Sequence, residues 1–252
     1  MQKAALLLVA LVAAASGATA QTTYRIGVRV GGNLAATSTE GSTAQAVPNA
    51  SSWYEKAPIF TGQAGLVLEV ARGNFAFQPA LLFSQKGTKI KGGSTVRDPE
   101  TGYEFRREGQ TTARYNWLEM PLNFVYTLPG NTGLQVFAGP YVAVGVGGSA
   151  KTTINNTTTD PGATTVPVTR YTSTIAYASG EANSTAISIR DFHSRRFDTG
   201  FNVGVGYRRG PVQLQAGYGI GLVNLYYSKA GGNTDQSGYN RVAQLTGTYF
   251  LK

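Results

Sequence analysis

The sequence of 252 residues has no cysteine, one histidine and few charges, with Asp, Glu, Lys and Arg at 14% against about 25% in an average soluble domain. Without cysteine there is no disulfide scaffold, no thiolate zinc site and no lipid-modified cysteine behind the N-terminal apolar run. A single histidine, His193, cannot build a multi-histidine metal site. The scarcity of charge beside 11% aromatic residues excludes a disordered polar chain. The dominance of Ala, Glu, Lys, Leu and Arg that a long coiled coil needs is missing. After Gln21 no apolar run nears the roughly 18 residues of a membrane-spanning helix. Phosphate-loop and dinucleotide fingerprints are also missing.

What is plentiful is glycine (32), tyrosine (14) and phenylalanine (11), with a net charge of +9. At the N-terminus Lys3 precedes the apolar stretch Ala4 to Ala15, and Ala18-Thr19-Ala20 supplies the small residues of a cleavage site. This reads as a cleaved secretory signal peptide over 1–20, followed by one domain over 21–252. An N-terminal membrane helix is the alternative, but spanning takes about 20 apolar residues.

The remainder alternates with a period of two. Eight segments carry the pattern: 24–34, 59–71, 74–86, 115–128, 133–148, 197–209, 211–227 and 240–251. In the sixth, Phe197, Phe201, Val203, Val205 and Tyr207 oppose Asp198, Gly200, Asn202, Gly204, Gly206 and Arg208. Successive strand side chains point to opposite faces, so each segment has one greasy side and one polar side. A soluble barrel or sandwich would put many Lys and Glu on the polar side. Here that side holds Gly, Gln, Asn and scattered charges, which suits a confined interior with lipid on the other face.

Connection lengths agree. Arg72-Gly73-Asn74, Pro129 to Thr132 and Arg209-Gly210 are short, and they alternate with long stretches at 35–58, 87–114, 149–196 and 228–239. Thr152 to Asp160 (TTINNTTTD) typifies the latter. Outer-membrane barrels have short periplasmic turns and long external loops. The expected fold is therefore all-β: an eight-stranded antiparallel up-and-down transmembrane β-barrel. Tyr24, Phe75, Tyr126, Tyr207 and Tyr249 fall near the short-turn ends, and Phe60, Phe83 and Tyr226 near the others, as interfacial girdles would.

Several strings resemble the PorT-like outer-membrane β-barrel family. They are FQPALLFSQKG (77–87), LEMPL (118–122), FAGPY (137–141), FDTG (197–200) and GYGIGLVN (217–224). Together, and in order, they cover most of the chain beyond the signal peptide. The resemblance implies a Gram-negative outer-membrane barrel, most of whose relatives have no assigned activity. The founding type is associated with protein secretion, a role not carried over to this chain. The C-terminal GTYFLK departs from the usual terminal aromatic, with Phe250 two residues short of the end.

Alternation directs Arg25, Arg29, Glu69, Glu119 and Asp198 inward, with Gln63, Gln78, Gln135, Gln213 and Gln215. Unpaired buried charge is costly, so the expectation is a polar lumen network, with Glu69 and Glu119 bridging to Arg25 and Arg29. Eight strands leave an interior just wide enough for side chains to fill. The function expected is non-enzymatic and without cofactor or metal: a structural role, or binding of a partner or ligand through the long external loops. A narrow solute channel is the alternative, and a lipid-modifying enzyme using His193 a weaker one. The basic balance does not indicate nucleic acid, since the arginines are dispersed and the chain is exported. The pairs Arg106-Arg107, Arg195-Arg196 and Arg208-Arg209 are instead expected to meet outer-membrane lipid and lipopolysaccharide.

Overall fold

The computed structural model describes residues 22–40, 50–130, 133–163, 167–178, 192–225 and 237–251. The signal peptide and Tyr226 lie outside the described residues. Among the described residues there are eleven strands: β1 (Thr23–Glu40), β2 (Ala50–Ala57), β3 (Ile59–Arg72), β4 (Phe75–Arg97), β5 (Glu104–Thr127), β6 (Leu134–Thr158), β7 (Thr169–Ala178), β8 (Phe192–Arg195), β9 (Phe197–Arg209), β10 (Val212–Gly221) and β11 (Ser237–Phe250). Eight of them close a ring in the order β1-β3-β4-β5-β6-β9-β10-β11, every pair antiparallel, with β1 hydrogen-bonded back to β11. No sheet edge remains in the ring, which is how strands satisfy their backbone polar groups at membrane depth. Among the described residues no helix is long and apolar enough to cross a membrane.

The two faces of each ring strand divide as alternation requires. Val28, Leu66, Leu81, Phe124, Val203, Leu214 and Leu245 point outward and are exposed. Gln78, Gln213, Glu69, Asn33 and Asp198 point inward and are fully buried. Inward glycines make room for the few large inward side chains. The Phe137 ring lies between Gly204 and Gly217, where an added Cβ would stand 2.7 Å from it in either case. At the short-turn end, Arg72 pairs with Phe75 and Arg209 with Val212. These two-residue turns each carry a glycine in the left-handed region, Gly73 at φ 60° and Gly210 at φ 61°, as tight hairpins need. Phe75 and Tyr126 pack at 4.8 Å between centroids at this rim. Tyr249 faces outward there, while Phe250 is buried inside.

The long connections differ from the expectation of loops. β4, β5 and β6 have 23, 24 and 25 residues, whereas about 9–11 suffice to cross a bilayer. The stretch 87–114 is a continued hairpin closed by a turn at 98–103, and TTINNTTTD is mostly the far end of β6. β2 pairs with this part of β4, β7 pairs with β6, and β8 pairs parallel to β7. These segments have no lipid-facing side and only isolated apolar residues such as Trp53, Ile175 and Tyr177, so alternation of hydrophobicity does not reveal them. Their threonines nonetheless favour strands. The register between β5 and β6 shifts by one residue at Asn116/Trp117, and such a bulge bends and twists the sheet as the extension begins.

Candidate functional site

The lumen holds two ionic layers beneath an apolar cap. In the layer nearer the short turns, the buried Glu69 carboxylate accepts from Arg25 (2.9 Å), from Arg208 at both oxygens (2.7 and 2.6 Å) and from the Gln78 amide (2.7 Å). Arg208 also lies over the Phe250 ring at 4.5 Å. Arg29 is buried and donates to Thr248 (2.9 Å) and Gln78 (3.3 Å). Close by, Gln213 donates to Gln135 (2.7 Å), which donates to Thr127 (3.0 Å).

In the layer nearer the long connections, Lys86 Nζ lies 2.8 Å from Glu119 and 3.6 Å from Asp198, and 4.2 Å from the Tyr141 ring centroid. Asp198 accepts from the Tyr141 hydroxyl (3.0 Å) and from Asn240 (2.8 Å). Between the layers Gln244 accepts from Gln63 (2.9 Å) and donates to Asn202 (3.3 Å).

Arg29, Glu69, Glu119 and Asp198 are buried in the interior, and Arg25 reaches Glu69 from the rim with 39% of its side chain exposed, but the partners differ from those expected. Arg25 meets Glu69. Arg29 meets no carboxylate within 4 Å among the described residues, and Glu119 pairs with Lys86. Lys86 was missed although its even parity with Gln78 on β4 marks it as inward. Arg208 corrects the lipid assignment of its pair. It shares inward parity with Asp198 on β9 and neutralises Glu69, while Arg209 faces out. Arg106 is also partly engaged, with Glu108 at 2.9 Å.

The cap is built from β5, β6, β7 and the segment after β10. Tyr177 lies over Gly145, where any side chain would strike its ring. Its hydroxyl donates to the carbonyls of Gly147 (3.0 Å) and Asn116 (3.3 Å). Trp117, wholly buried, meets Tyr177 edge-on at 5.4 Å. Tyr115, Ala143, Ile175 and Leu225 complete the apolar cluster. Backbone bonds from Gly145 to Arg196, Arg195 to Leu225 and Leu225 to Gly238 continue the β6–β9, β9–β10 and β10–β11 pairings beyond the strand ends and hold Leu225 in the wall beside the cluster. Below the cap, two cavities of about 10 Å³ each are lined by Arg29, Glu119, Asn202 and Gln244 among others. Each has room for about one water.

His193 lies on β8 opposite Ala176. Among the described residues no group of three or more His, Asp or Glu could hold a metal ion.

No curated protein matches the sequence. Among solved structures, the chain is similar to neisserial surface protein A (NspA), with 10% identity, a TM-score of 0.32, and coverage of 91% of this chain and 98% of that one. It is also similar to Ail, the attachment invasion locus protein of Yersinia pestis, with 9% identity, a TM-score of 0.38, and coverage of 90% and 98%. Residues 19–240 match the family model of the outer membrane protein beta-barrel domain. With a closed ring of eight antiparallel strands, greasy outside and polar within, the chain belongs to this outer membrane protein beta-barrel family and resides in the outer membrane.

Proposed function

We propose that the protein is a sealed, non-enzymatic barrel whose long-connection end is a rigid sheet for binding a partner or ligand at the cell surface. One observation carries this: β4, β5 and β6 run to 23–25 residues, more than twice the span of the hydrocarbon core. At about 3.3 Å per residue, the excess is a wall of sheet standing outside the membrane. Such a wall costs backbone ordering on the order of 1 kcal/mol or more per residue, which flexible loops would avoid. The filled lumen beneath it is a foundation rather than a path.

Residues 1–20 serve as the export signal in this reading, and 21–252 as the barrel. The PorT-like resemblance fits the same picture. Lys86, Glu119, Tyr141 and Asp198 belong to four of its separate strings and meet in one ionic layer. Lipopolysaccharide is the lipid partner. Lys89, Arg114 and Lys151 face outward in adjacent rows of β4, β5 and β6, just past the apolar belt that ends at Phe83, Leu118 and Val146. Cations at that level suit headgroup phosphates.

Site-specific photo-cross-linking in intact cells tests the platform. Probes on β2 and on 104–112 of β5 should capture a surface partner or ligand, whereas probes on the short turns should not. Equal capture from both ends, or none from the extension, overturns it.

A further inference from the structure

The outward face of the extension carries a recess that the lumen and cap leave unexplained. Two adjacent cross-strand rows build it. In one row Trp53 of β2 pairs with Gly93 of β4, Gly93 with Glu108 of β5, and Glu108 with Asn155 of β6. In the next, Glu55, Lys91, Gln110 and Thr153 follow one another across the same strands. Paired residues share a face, so these side chains surround the one position in the rows with no side chain, Gly93. The Trp53 indole leans over it: a Cβ on Gly93 would stand 2.6 Å from Nε1. Trp53 as a whole keeps 46% of its surface exposed. The resulting recess is about 200 Å³.

We propose that this recess binds one neutral saccharide unit of a surface glycan, stacked on Trp53; the proposal rests on the platform reading and names its ligand. The chemistry of the lining selects the class. Trp53 offers a flat apolar face with an N–H at its edge. Lys91 only donates and Glu108 only accepts, while Gln110, Asn155 and Thr153 do both. A matching ligand needs an apolar ring face and a rim of groups that donate and accept in turn, which is what the C–H face and hydroxyls of a pyranose provide. The charges around the recess balance, with Glu55 across from Lys91 and Arg106 engaging Glu108 at 2.9 Å, so the lining favours neither an anion nor a cation. Pockets for drug-sized ligands run about 300–1,000 Å³, so this recess suits a single sugar residue of a longer chain. It opens sideways from the barrel wall, where glycans rooted in the membrane and glycans in solution can both reach it.

The sequence holds only two tryptophans, one in the recess and one buried in the cap, so fluorine NMR of the 5-fluorotryptophan-labelled full-length barrel reads the site directly. Maltohexaose, cellohexaose, chitohexaose and mannohexaose form the probe set, with vesicles containing lipopolysaccharide either bearing or lacking its core oligosaccharide. At least one probe should move the Trp53 resonance saturably and leave that of Trp117 in place. Gln110→Ala with Asn155→Ala should weaken that response at least tenfold while the unboiled gel mobility stays that of the folded barrel. A response to free oligosaccharide identifies soluble glycans as the source; a response only to core-bearing vesicles identifies the cell's own lipid glycan. Silence to every probe, or a response unchanged in the double variant, overturns the proposal. If partner cross-links from β2 and β5 persist alongside that silence, the saccharide inference fails alone; if they vanish too, the platform reading fails with it.

Discussion

The Glu69 carboxylate accepts from two guanidinium groups and an amide with its own surface wholly out of water. Changing it to Gln keeps the shape but leaves Arg25 and Arg208 facing each other without a counter-charge. Removing one member of a buried ionic group costs about 3 kcal/mol. Urea titration of the refolded Glu69→Gln barrel should show a loss of that size, and Glu69→Gln with Arg208→Met should recover part of it. An unchanged midpoint in the single variant would mean that the cluster contributes nothing to stability. A second residue acts at the tip of the extension. There the amides of Thr101 and Glu100 donate to the Asp98 carboxylate (3.0 and 2.9 Å), holding its pKa below the ordinary value of 3.8. A depressed folded-state value means that the turn's stabilisation is complete above the ordinary value and is lost as pH falls through the folded one. Amide protection at Glu100 and Thr101 should therefore stay constant from neutral pH to about pH 4 and decline only below it. Asp98→Ala should show the low-protection state at every pH.

At the scale of elements, the eight ring strands are legible in the sequence because lipid and lumen impose opposite chemistries on alternate residues. Phe197 to Arg209 shows this without a break. Where that contrast ends, so does legibility. Lys89-Ile-Lys-Gly-Gly-Ser-Thr-Val96 has water on both faces and reads as a loop, although it forms a strand hydrogen-bonded on both sides. Lys86 sits at that boundary, which hid its inward role. Arg208 is legible by parity alone, yet its neighbour Arg209 made the two look like a surface pair. Nothing local in Thr169–Ala178 announces that Tyr177 will turn back over the lumen, since its seat is Gly145 on another strand. That seat makes a prediction: Gly145→Val pushes the Tyr177 ring away and removes both hydroxyl bonds to the Asn116 and Gly147 carbonyls. β7 should then become open to protease and the emission of Trp117 should shift to the red, with the ring still closed by the gel-mobility criterion. Resistance equal to that of the parent chain would show that β7 is held by its ladder to β6 instead.

For the whole molecule the question is whether a ring this small can conduct, and the barriers stand in series. The apolar cluster of Trp117, Tyr115, Tyr141 and Ile175 fills the lumen beside the mouth, Lys86 with Glu119 and Asp198 crosses it below, and Arg25, Arg208 and Glu69 cross it again near the short turns. An ion would have to shed water to pass cavities of about 10 Å³, each room for about one water. Removing one barrier leaves the others, so replacing 167–195 with a short Gly-Ser linker should not produce current in planar bilayers. Current is expected only when that deletion is combined with Lys86→Ala and Glu119→Ala. Among the described residues the remaining interior charges are then Arg25, Arg29 and Arg208 against Glu69 and Asp198, so the small pore should prefer anions in a salt gradient. Stable, ion-selective steps from the unaltered chain would contradict the sealed barrel, because no rearrangement of one barrier opens the other two.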